Sequence, residues 1–264
     1  REIMPLTQFQ ATVAKALSVN RSEDSYLAGG AALHFLSNSV RYSNDLDYFN
    51  DSVERVALAF QKDQNVLESS GYAVQVEMSQ PGYIRATVRK EGEQTKIEWA
   101  HDSAWRFMPT VYDEAVGYML HPVDLAINKV LALAGRSEPR DLLDVLFAHK
   151  TILPLGALIW AAAGKDPGFT PNSIIEILKR RGKYRDEDFR GLNLAEPIDL
   201  QKLKQEWLEI LTKSEEFINS RPSAEIGCLY YSPDQKIFIA PTRSDAYQLH
   251  YGKPGGVLPT IVPY

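Results

Sequence analysis

The sequence predicts an α/β (α+β) protein, in which a mixed sheet with flanking helices precedes a helical domain and a short β-rich C-terminal extension. Three observations predict this class. Apolar and polar residues alternate with a strand-like period between residues 72 and 100. Helical periodicity then runs from 121 to 220, and from 221 onward Tyr, Pro and Gly become frequent. We therefore expect three domains, at residues 1–120, 121–220 and 221–264.

Two helices are predicted in the first block. Residues 6–17, "LTQFQATVAKAL", carry apolar side chains at helical spacing. Residues 53–67, "VERVALAFQKDQNVL", do the same and follow an N-cap candidate, either Asp51 or Ser52. Both helices are expected to pack on the sheet.

Three strands are predicted after these helices, at 72–78, 83–89 and 95–100. The turn signals "QPGY" and "KEGEQ" separate them, so an antiparallel meander is expected. Its apolar face is expected to pack on the helices, and its other face is polar. In the first strand the apolar face comprises Tyr72, Val74, Val76 and Met78. The polar face carries Arg85, Arg89, Lys96 and Glu98.

The second block is expected to be helical throughout. Helical segments begin at "HPVDLAINKVLALAGR" and "EPRDLLDVLFAHK", each with a proline near its first turn, where a missing N–H is tolerated. "NSIIEILKRRG" and "LQKLKQEWLEILTKSEEFI" follow with the same period. In the third block, short apolar strands are expected around an "SPDQ" turn.

Composition excludes several classes of protein. The net charge of −5 argues against a generic binder of polyanions, so any contact with nucleic acid needs a local basic patch. No apolar run approaches the roughly 20 residues of a membrane span, and no membrane association is expected. The single cysteine, Cys228, excludes an internal disulfide framework and fits a reducing cytoplasm, which is the expected location.

A pair of aspartates in "RYSNDLDYF" is the first candidate for chemistry. On a strand, alternation places Asp45 and Asp47 on one face and Leu46 on the other. Two carboxylates aimed at one point are a typical Mg²⁺ site, because this ion prefers hard oxygen ligands. A third carboxylate, Glu98, would complete a site for two metals. Glu98 could equally be a cross-strand partner of Arg85 or Arg89 on a wet sheet face.

A glycine pair lies upstream of the aspartates, in "LAGGAAL". Gly29 and Gly30 stand where a helix is expected to begin. Without Cβ atoms, they would let backbone N–H groups approach a triphosphate closely.

These pieces together resemble one family. "LAGGAALHFL…RYSNDLDYF", then "TKIEWA", then "NKVLALAGRSEPRDLLDVL" are similar, in this order, to the AbiEii/MenT group of nucleotidyltransferase toxins. The resemblance covers about residues 27 to 148. It implies a nucleotidyltransferase fold, Mg²⁺-dependent transfer from a nucleoside triphosphate to an acceptor, and a cognate antitoxin. It also implies that the acceptor is RNA, such as a tRNA 3′ end.

The resemblance also implies roles for individual residues. Asp45 and Asp47 match the metal-binding aspartates of the family, and the segment "RDLLD" matches its second acidic motif. By position, the implied catalytic residues are Asp45, Asp47, Lys129 and Asp144. The implied nucleotide-binding residues are Gly29, Gly30, Arg41, Ser43 and Lys129, and Arg140 and Asp141 complete the "RDLLD" match.

Two departures from the family pattern leave alternatives open. Ala31 follows Gly30 where a serine or threonine is common, and the third acidic position is a glutamate, Glu98. The chain could therefore be a catalytically silent relative that binds a nucleotide or a partner protein. A nucleotidyltransferase that modifies a protein or a small molecule, such as an aminoglycoside, is a second alternative.

Lys129 and Asp144 allow a structural and a functional interpretation. Lys129 lies among apolar residues and could be an ordinary snorkelling lysine, or the cation that meets the triphosphate. Asp141 and Asp144 lie on one helix face, and Asp141, close to the helix start, could simply suit the helix dipole. Asp144 lies deeper, among leucine and valine, which favours a catalytic role or a role in orienting Lys129.

A basic run follows in "KRRGKYR". It contains Lys179, Arg180, Arg181, Lys183 and Arg185. These charges could belong to a helix C-terminus, or they could contact the phosphate backbone of RNA together with the adjacent Tyr184. Both interpretations are open from the sequence.

Overall fold

The computed structural model describes residues 6–35 and 41–260. The chain divides into two compact units. The first comprises the chain up to Leu125 with Asn193–Ala195 and Pro254–Gly256, and the second comprises the rest. The domain limits at 120 and 220 stay predictions.

A seven-stranded mixed sheet forms the centre of the first unit, in the order β3-β4-β5-β2-β1-β8-β7. The strands of the first unit are β1 (Ser25–Ala28), β2 (Asp45–Asn50), β3 (Ala73–Gln80), β4 (Tyr83–Lys90), β5 (Glu93–His101), β6 (Trp105–Arg106), β7 (Val111–Asp113) and β8 (Gly117–Met119). The predicted antiparallel meander is confirmed as β3, β4 and β5. β2 joins it by parallel pairing with β5, and β1 pairs antiparallel with β2.

The face assignment of the first meander strand was wrong at one residue. A register shift between Val76 and Met78 places Val76 opposite Ala86 but Met78 opposite Arg85. This β-bulge at Glu77 moves Met78 to the polar face, because one extra residue reverses the side-chain alternation. Val76 and Met78 are 44% and 46% exposed, so this end of the edge strand does not pack on the helices as expected.

Nine α-helices are described, and several of them begin at a capping residue or a proline. They are α1 (Gln8–Leu17), α2 (Gly29–Phe35), α3 (Val53–Ser69), α4 (Pro122–Gly135), α5 (Pro139–Thr151), α6 (Leu155–Lys165), α7 (Pro171–Arg180), α8 (Asp186–Phe189) and α9 (Leu200–Ser220). Thr7 forms a capping box with Gln10 at α1, and Ser52 rather than Asp51 caps α3.

Helices α1 and α3 pack on the apolar face of the sheet. Trp99 on β5 is fully buried there, stacks edge-on against Phe60 of α3, and donates its indole N–H to Asp63 at 2.7 Å. Asp63 also binds Arg21 at 2.5 Å, and both side chains are fully buried. Because a buried charge is costly unless it is paired, this network fixes how α3 meets the sheet.

The second unit contains most of α4, the helices from α5 to α9 and a small sheet. The strands β9 (Leu229–Ser232), β10 (Ile237–Ile239) and β11 (Gln248–His250) form an antiparallel sheet around the "SPDQ" turn, as predicted for the third block. A further short strand, β12, spans Lys253–Pro254. Sequence analysis missed α6 because it is buried on nearly every side, so it lacks the polar stripe that reveals an amphipathic helix.

In the described part of the chain, no single helix has the length and hydropathy to cross a membrane; α5 and α6, which meet at 113°, reach them only as a bent pair.

Candidate active site

The aspartate pair lies on β2 with the predicted alternation. Leu46 and Tyr48 are fully buried, whereas Asp45 and Asp47 are half-buried on the opposite face. The prediction that the two carboxylates share one face is confirmed. This arrangement leaves both carboxylates accessible to a ligand while the strand itself is held in the core.

Polar contacts support the segment that leads into β2. The Ser43 hydroxyl donates to the Asp45 carbonyl at 2.9 Å and lies 3.3 Å from Oδ1 of the same residue. Gln10 of α1 donates to the Ser43 carbonyl at 3.1 Å and to Thr95 Oγ1 at 3.2 Å. Ser43 is therefore buried and supports Asp45.

The glycine pair brings a helix start against these residues. Helix α2 begins at Gly29, whose φ of +63° lies in the left-handed region. A Cβ atom at Gly29 would lie 1.8 Å from Oδ2 of Asp47, and one at Gly30 would lie 2.7 Å from Nη2 of Arg41. Gly29 is thus required twice, by its backbone conformation and by the close approach of Asp47.

Arg41, on the same side of β2, is 4% exposed. It lies beside Gly30, and its backbone forms a bridge with Leu194. Four residues that the resemblance assigns to nucleotide binding, Gly29, Gly30, Arg41 and Ser43, therefore surround the aspartate pair.

Glu98 is the register neighbour of Asp47 on β5, but its carboxylate faces Arg85. The two side chains approach to 2.6 Å across the β4–β5 pair, and Arg85 Nε donates to Glu98 at 2.8 Å. The Glu98 carboxylate raises the pKa of Arg85 and, after burial, is a cause of the raised pKa of Tyr83. This geometry favours the cross-strand interpretation of Glu98, and its role as a third metal ligand stays a prediction.

The donor set fits a divalent cation through two carboxylates. Within residues 6–35 and 41–260, no group of three or more His, Cys, Asp or Glu is arranged to hold a metal ion. Asp45 and Asp47 nevertheless offer hard oxygen ligands on one face of β2, where Asp47 lies against Gly29. Mg²⁺ commonly uses one or two protein carboxylates and takes its other ligands from water and substrate phosphates.

A second cluster lies within the second unit, where α4 and α5 supply a buried ion-pair network. Lys129 Nζ lies 2.8 Å from Asp144 Oδ2 and 3.7 Å from Asp141 Oδ1. Both aspartate side chains are fully buried, and Lys129 is 8% exposed. Arg136 closes the network by binding Asp141 at 2.7 Å. Lys129 is thus held by Asp144, as one of the two interpretations predicted.

Two cations of the basic run, Lys179 and Arg181, bind partners within the fold. Lys179 binds Glu176 at 2.8 Å and Glu215 at 2.6 Å. Arg181 donates to the carbonyls of Leu133 and Ala134, at the C-terminal end of α4. Besides Lys179, the exposed side chains of the run are Arg180, Lys183 and Arg185.

Tyr184 does not fit its predicted role. It is 7% exposed and packs edge-on against Phe189, so its ring is not available to stack on a base. Of the five cations predicted to contact RNA, Arg180, Lys183 and Arg185 remain candidates.

Two supporting residues were missed by sequence analysis. Gln10 is buried at a position where the α1 pattern is otherwise apolar, and a polar residue on such a face is a signal that could have found it. Arg136 lies in the loop between α4 and α5, where the sequence carries no comparable signal.

Comparisons with known proteins identify the family of the chain and structures with a similar fold. A family model described as "Nucleotidyl transferase AbiEii toxin, Type IV TA system" matches residues 15–226. MenT4, a nucleotidyltransferase toxin of Mycobacterium tuberculosis, is similar in structure with a TM-score of 0.54 and 18% identity, over 82% of this chain and 83% of that one. JHP933 of Helicobacter pylori has a TM-score of 0.50 and 16% identity, over 81% of this chain and 95% of that one. No match was found among curated protein sequences.

Proposed function

The chain belongs to the AbiEii family of nucleotidyltransferase toxins of type IV toxin–antitoxin systems, and from that premise we propose the reaction that it performs. It transfers a nucleotide from a nucleoside triphosphate to a hydroxyl group of RNA, such as a tRNA 3′ end, in a Mg²⁺-dependent step. The acceptor oxygen forms a bond to the α-phosphorus, the bond to the β-phosphate breaks, and pyrophosphate leaves.

The observation that carries this proposal is the aspartate pair beside Gly29. Asp45 and Asp47 share one half-buried face of β2, and Gly29 lets Asp47 lie directly against the start of α2. The two carboxylates would hold Mg²⁺. When bound, the ion would supply positive charge to the transferring phosphoryl group and to the attacking oxygen. Ser43 keeps Asp45 in position through the hydrogen bond to its backbone carbonyl.

We assign Lys129 and Asp144 to the same reaction on the strength of the family resemblance. The lysine neutralises the triphosphate, and Asp144 orients the lysine. The 2.8 Å contact between them supports the second part of this assignment, because Asp144 is fully buried and lies closer to Lys129 than Asp141 does. Arg136 binds Asp141, so Lys129 interacts mainly with Asp144 rather than equally with both aspartates.

Toxicity and an antitoxin complete the proposal. Expression of the protein in bacteria should slow growth, and co-expression of its cognate antitoxin should restore it. Growth equal to that of an Asp47→Ala variant, at equal protein level, would contradict toxicity by this reaction.

The exposed cations of the basic run, Arg180, Lys183 and Arg185, are proposed as secondary RNA contacts.

One experiment tests the reaction and its acceptor. The protein is incubated with each nucleoside triphosphate, labelled at either the α- or the γ-phosphate, in the presence of Mg²⁺ and bacterial lysate. We expect the α-label, and not the γ-label, to appear in the RNA fraction. Asp47→Asn should abolish labelling, whereas Asp234→Asn, in the exposed β9–β10 turn, should leave it unchanged.

Other outcomes would correct particular parts of the proposal. α-Label in the protein or small-molecule fraction would replace the RNA acceptor. γ-Label transfer would replace nucleotide transfer with phosphate transfer. An absence of label with every triphosphate, despite Mg²⁺-dependent nucleotide binding, would identify a silent relative.

A further inference from the structure

The polar face of the meander continues from the aspartate pair across three more strands. In register, Asp45 lies beside Lys96 and Asp47 beside Glu98; Lys96 then faces Thr87, and Glu98 faces Arg85. We call this surface the sheet face. It comprises Tyr83, Arg85, Thr87, Arg89, Gln94, Lys96, Glu98, Gln75 and Met78. Because register partners on neighbouring strands point to the same side, these side chains share the side of Asp45 and Asp47.

The sheet face carries two cations that no carboxylate neutralises in the described residues. Arg89 donates to Gln94 Oε1 at 2.9 Å and to Gln75 Oε1 at 2.6 Å, so neutral amides hold its guanidinium in place. Lys96 is exposed, and its ammonium group has no hydrogen bond or ion pair within the described ranges. Arg85 differs, because Glu98 neutralises it at 2.6 Å.

The opposite face of the same strands is covered by helices of the first unit. Trp99, Ile97 and Ala86 are fully buried under the helices of the first unit. Lys96, Gln94 and Arg89, on the sheet face, are all exposed. Of the further carboxylates near this face, Glu77 at the bulge accepts a hydrogen bond from Thr87, and Glu91 and Glu93 lie close to Arg89 and Gln94 at the β4–β5 turn.

We propose that the sheet face binds the sugar–phosphate backbone of the acceptor RNA and guides its reactive hydroxyl to Asp45 and Asp47. This inference rests on the proposed RNA acceptor. Lys96 and Arg89 contact phosphates, and the amides of Gln75 and Gln94 are groups that proteins use to bind phosphate and sugar oxygens.

The dimensions of the face favour a polymer over a single triphosphate. From strand spacing and rise, the Cα atoms of Lys96 and Arg89 are about 8 Å apart, and Arg89 lies about 12 Å from Asp45. That length can accommodate more than one phosphate of a single RNA strand. An open, polar strand surface is also a common platform for single-stranded RNA.

The test removes both cations without removing their bulk. The double variant Lys96→Gln/Arg89→Gln is compared with Lys62→Gln/Lys204→Gln, which loses the same charge from exposed positions on α3 and α9. Binding to unfractionated tRNA is measured at several salt concentrations. We expect the slope of log affinity against log salt to shrink by about 1.4 to 1.8 in the first variant, at about 0.7 to 0.9 for each phosphate that the protein no longer neutralises. The control should keep the wild-type slope.

Three results would overturn the inference. They are an unchanged slope in a folded Lys96→Gln/Arg89→Gln variant, an equal loss of slope in the control, and a loss of Mg²⁺-dependent nucleotide affinity equal to the loss of RNA affinity. The last result would show that the two cations bind the triphosphate. The α-label assay on the wild-type protein separates this failure from failure of the proposed function. If RNA is labelled and the slope is unchanged, only the sheet-face inference fails.

Discussion

Two pairs of aspartates, one in each unit, have similar sequences and opposite surroundings. Asp45 and Asp47 lie two residues apart on a strand, half-buried, with a serine hydroxyl at hydrogen-bonding distance from Asp45. Asp141 and Asp144 lie three residues apart on a helix, are fully buried, and are neutralised by Lys129 and Arg136. The strand pair is half-buried on one face of β2, whereas the helix pair is fully buried beside two cations.

This difference assigns the two pairs different tasks. A buried carboxylate without a cation is strongly destabilising, so the helix pair depends on Lys129 for stability as well as for any part in the reaction. Two neighbouring carboxylates repel each other, so we expect the half-buried strand pair to contribute less to stability than the helix pair does. The same substitution should therefore have opposite effects on stability at the two places.

The largest effect is expected at the strand pair. Asp47→Ala should reduce nucleotide transfer by at least about 100-fold, because an electrostatic group of the site is removed. The free energy of unfolding should stay level or rise, since removing one carboxylate relieves repulsion. Label transfer and urea denaturation measure the two quantities. Transfer at the wild-type rate would end the assignment of Asp47 as a metal ligand.

Lys129→Met should produce the largest loss of stability. Removing the cation leaves the Asp144 carboxylate buried without the positive charge of Lys129, at a cost of about 3–5 kcal/mol in the free energy of unfolding. The double variant Lys129→Met/Asp144→Asn should recover much of that loss, because the uncompensated charge is gone. A single variant as stable as the wild type would show that water reaches Asp144.

Gly29→Ala should affect the reaction more than the fold. The added Cβ would meet Asp47 Oδ2 at 1.8 Å, and displacing a catalytic group by about 1 Å can cost on the order of 100-fold in rate. Gly92→Ala is the matched control, since Gly92 has a φ of +84° and no atom within 4 Å of an added Cβ. Both variants carry similar backbone strain, so equal transfer rates would disprove the close packing of Asp47 against Gly29.

The smallest effect is expected at Glu98, and its substitution tests whether the strand pair has a third carboxylate ligand. Because Glu98 binds the partly exposed Arg85, Glu98→Gln should lower stability by no more than about 1 kcal/mol. Mn²⁺ affinity, measured by paramagnetic resonance without substrate, should be close to that of the wild type. A large fall in Mn²⁺ affinity would instead make Glu98 the third ligand, and the strand pair would become a triad.

The sequence by itself determined the features that depend on local period and local chemistry. The alternation of Asp45, Leu46 and Asp47, the three meander strands, and the helix starts at Gly29 and after Ser52 were all predicted and are confirmed. The physical reason is that strand and helix periods, caps and turns are set by interactions among neighbours in the chain. The order of the motifs also determined the family.

Only the tertiary structure decided which charges are neutralised and which remain for a ligand. Glu98 and Arg85 meet because two strands pair in one register, and a single bulge moves Met78 to the polar face. Lys179 and Arg181 belong to one basic run, yet one is neutralised by Glu215 of a distant helix and the other donates to the carbonyls that end α4. Charge interactions depend on distance in space and on burial, and neither is written in the spacing of residues along a chain.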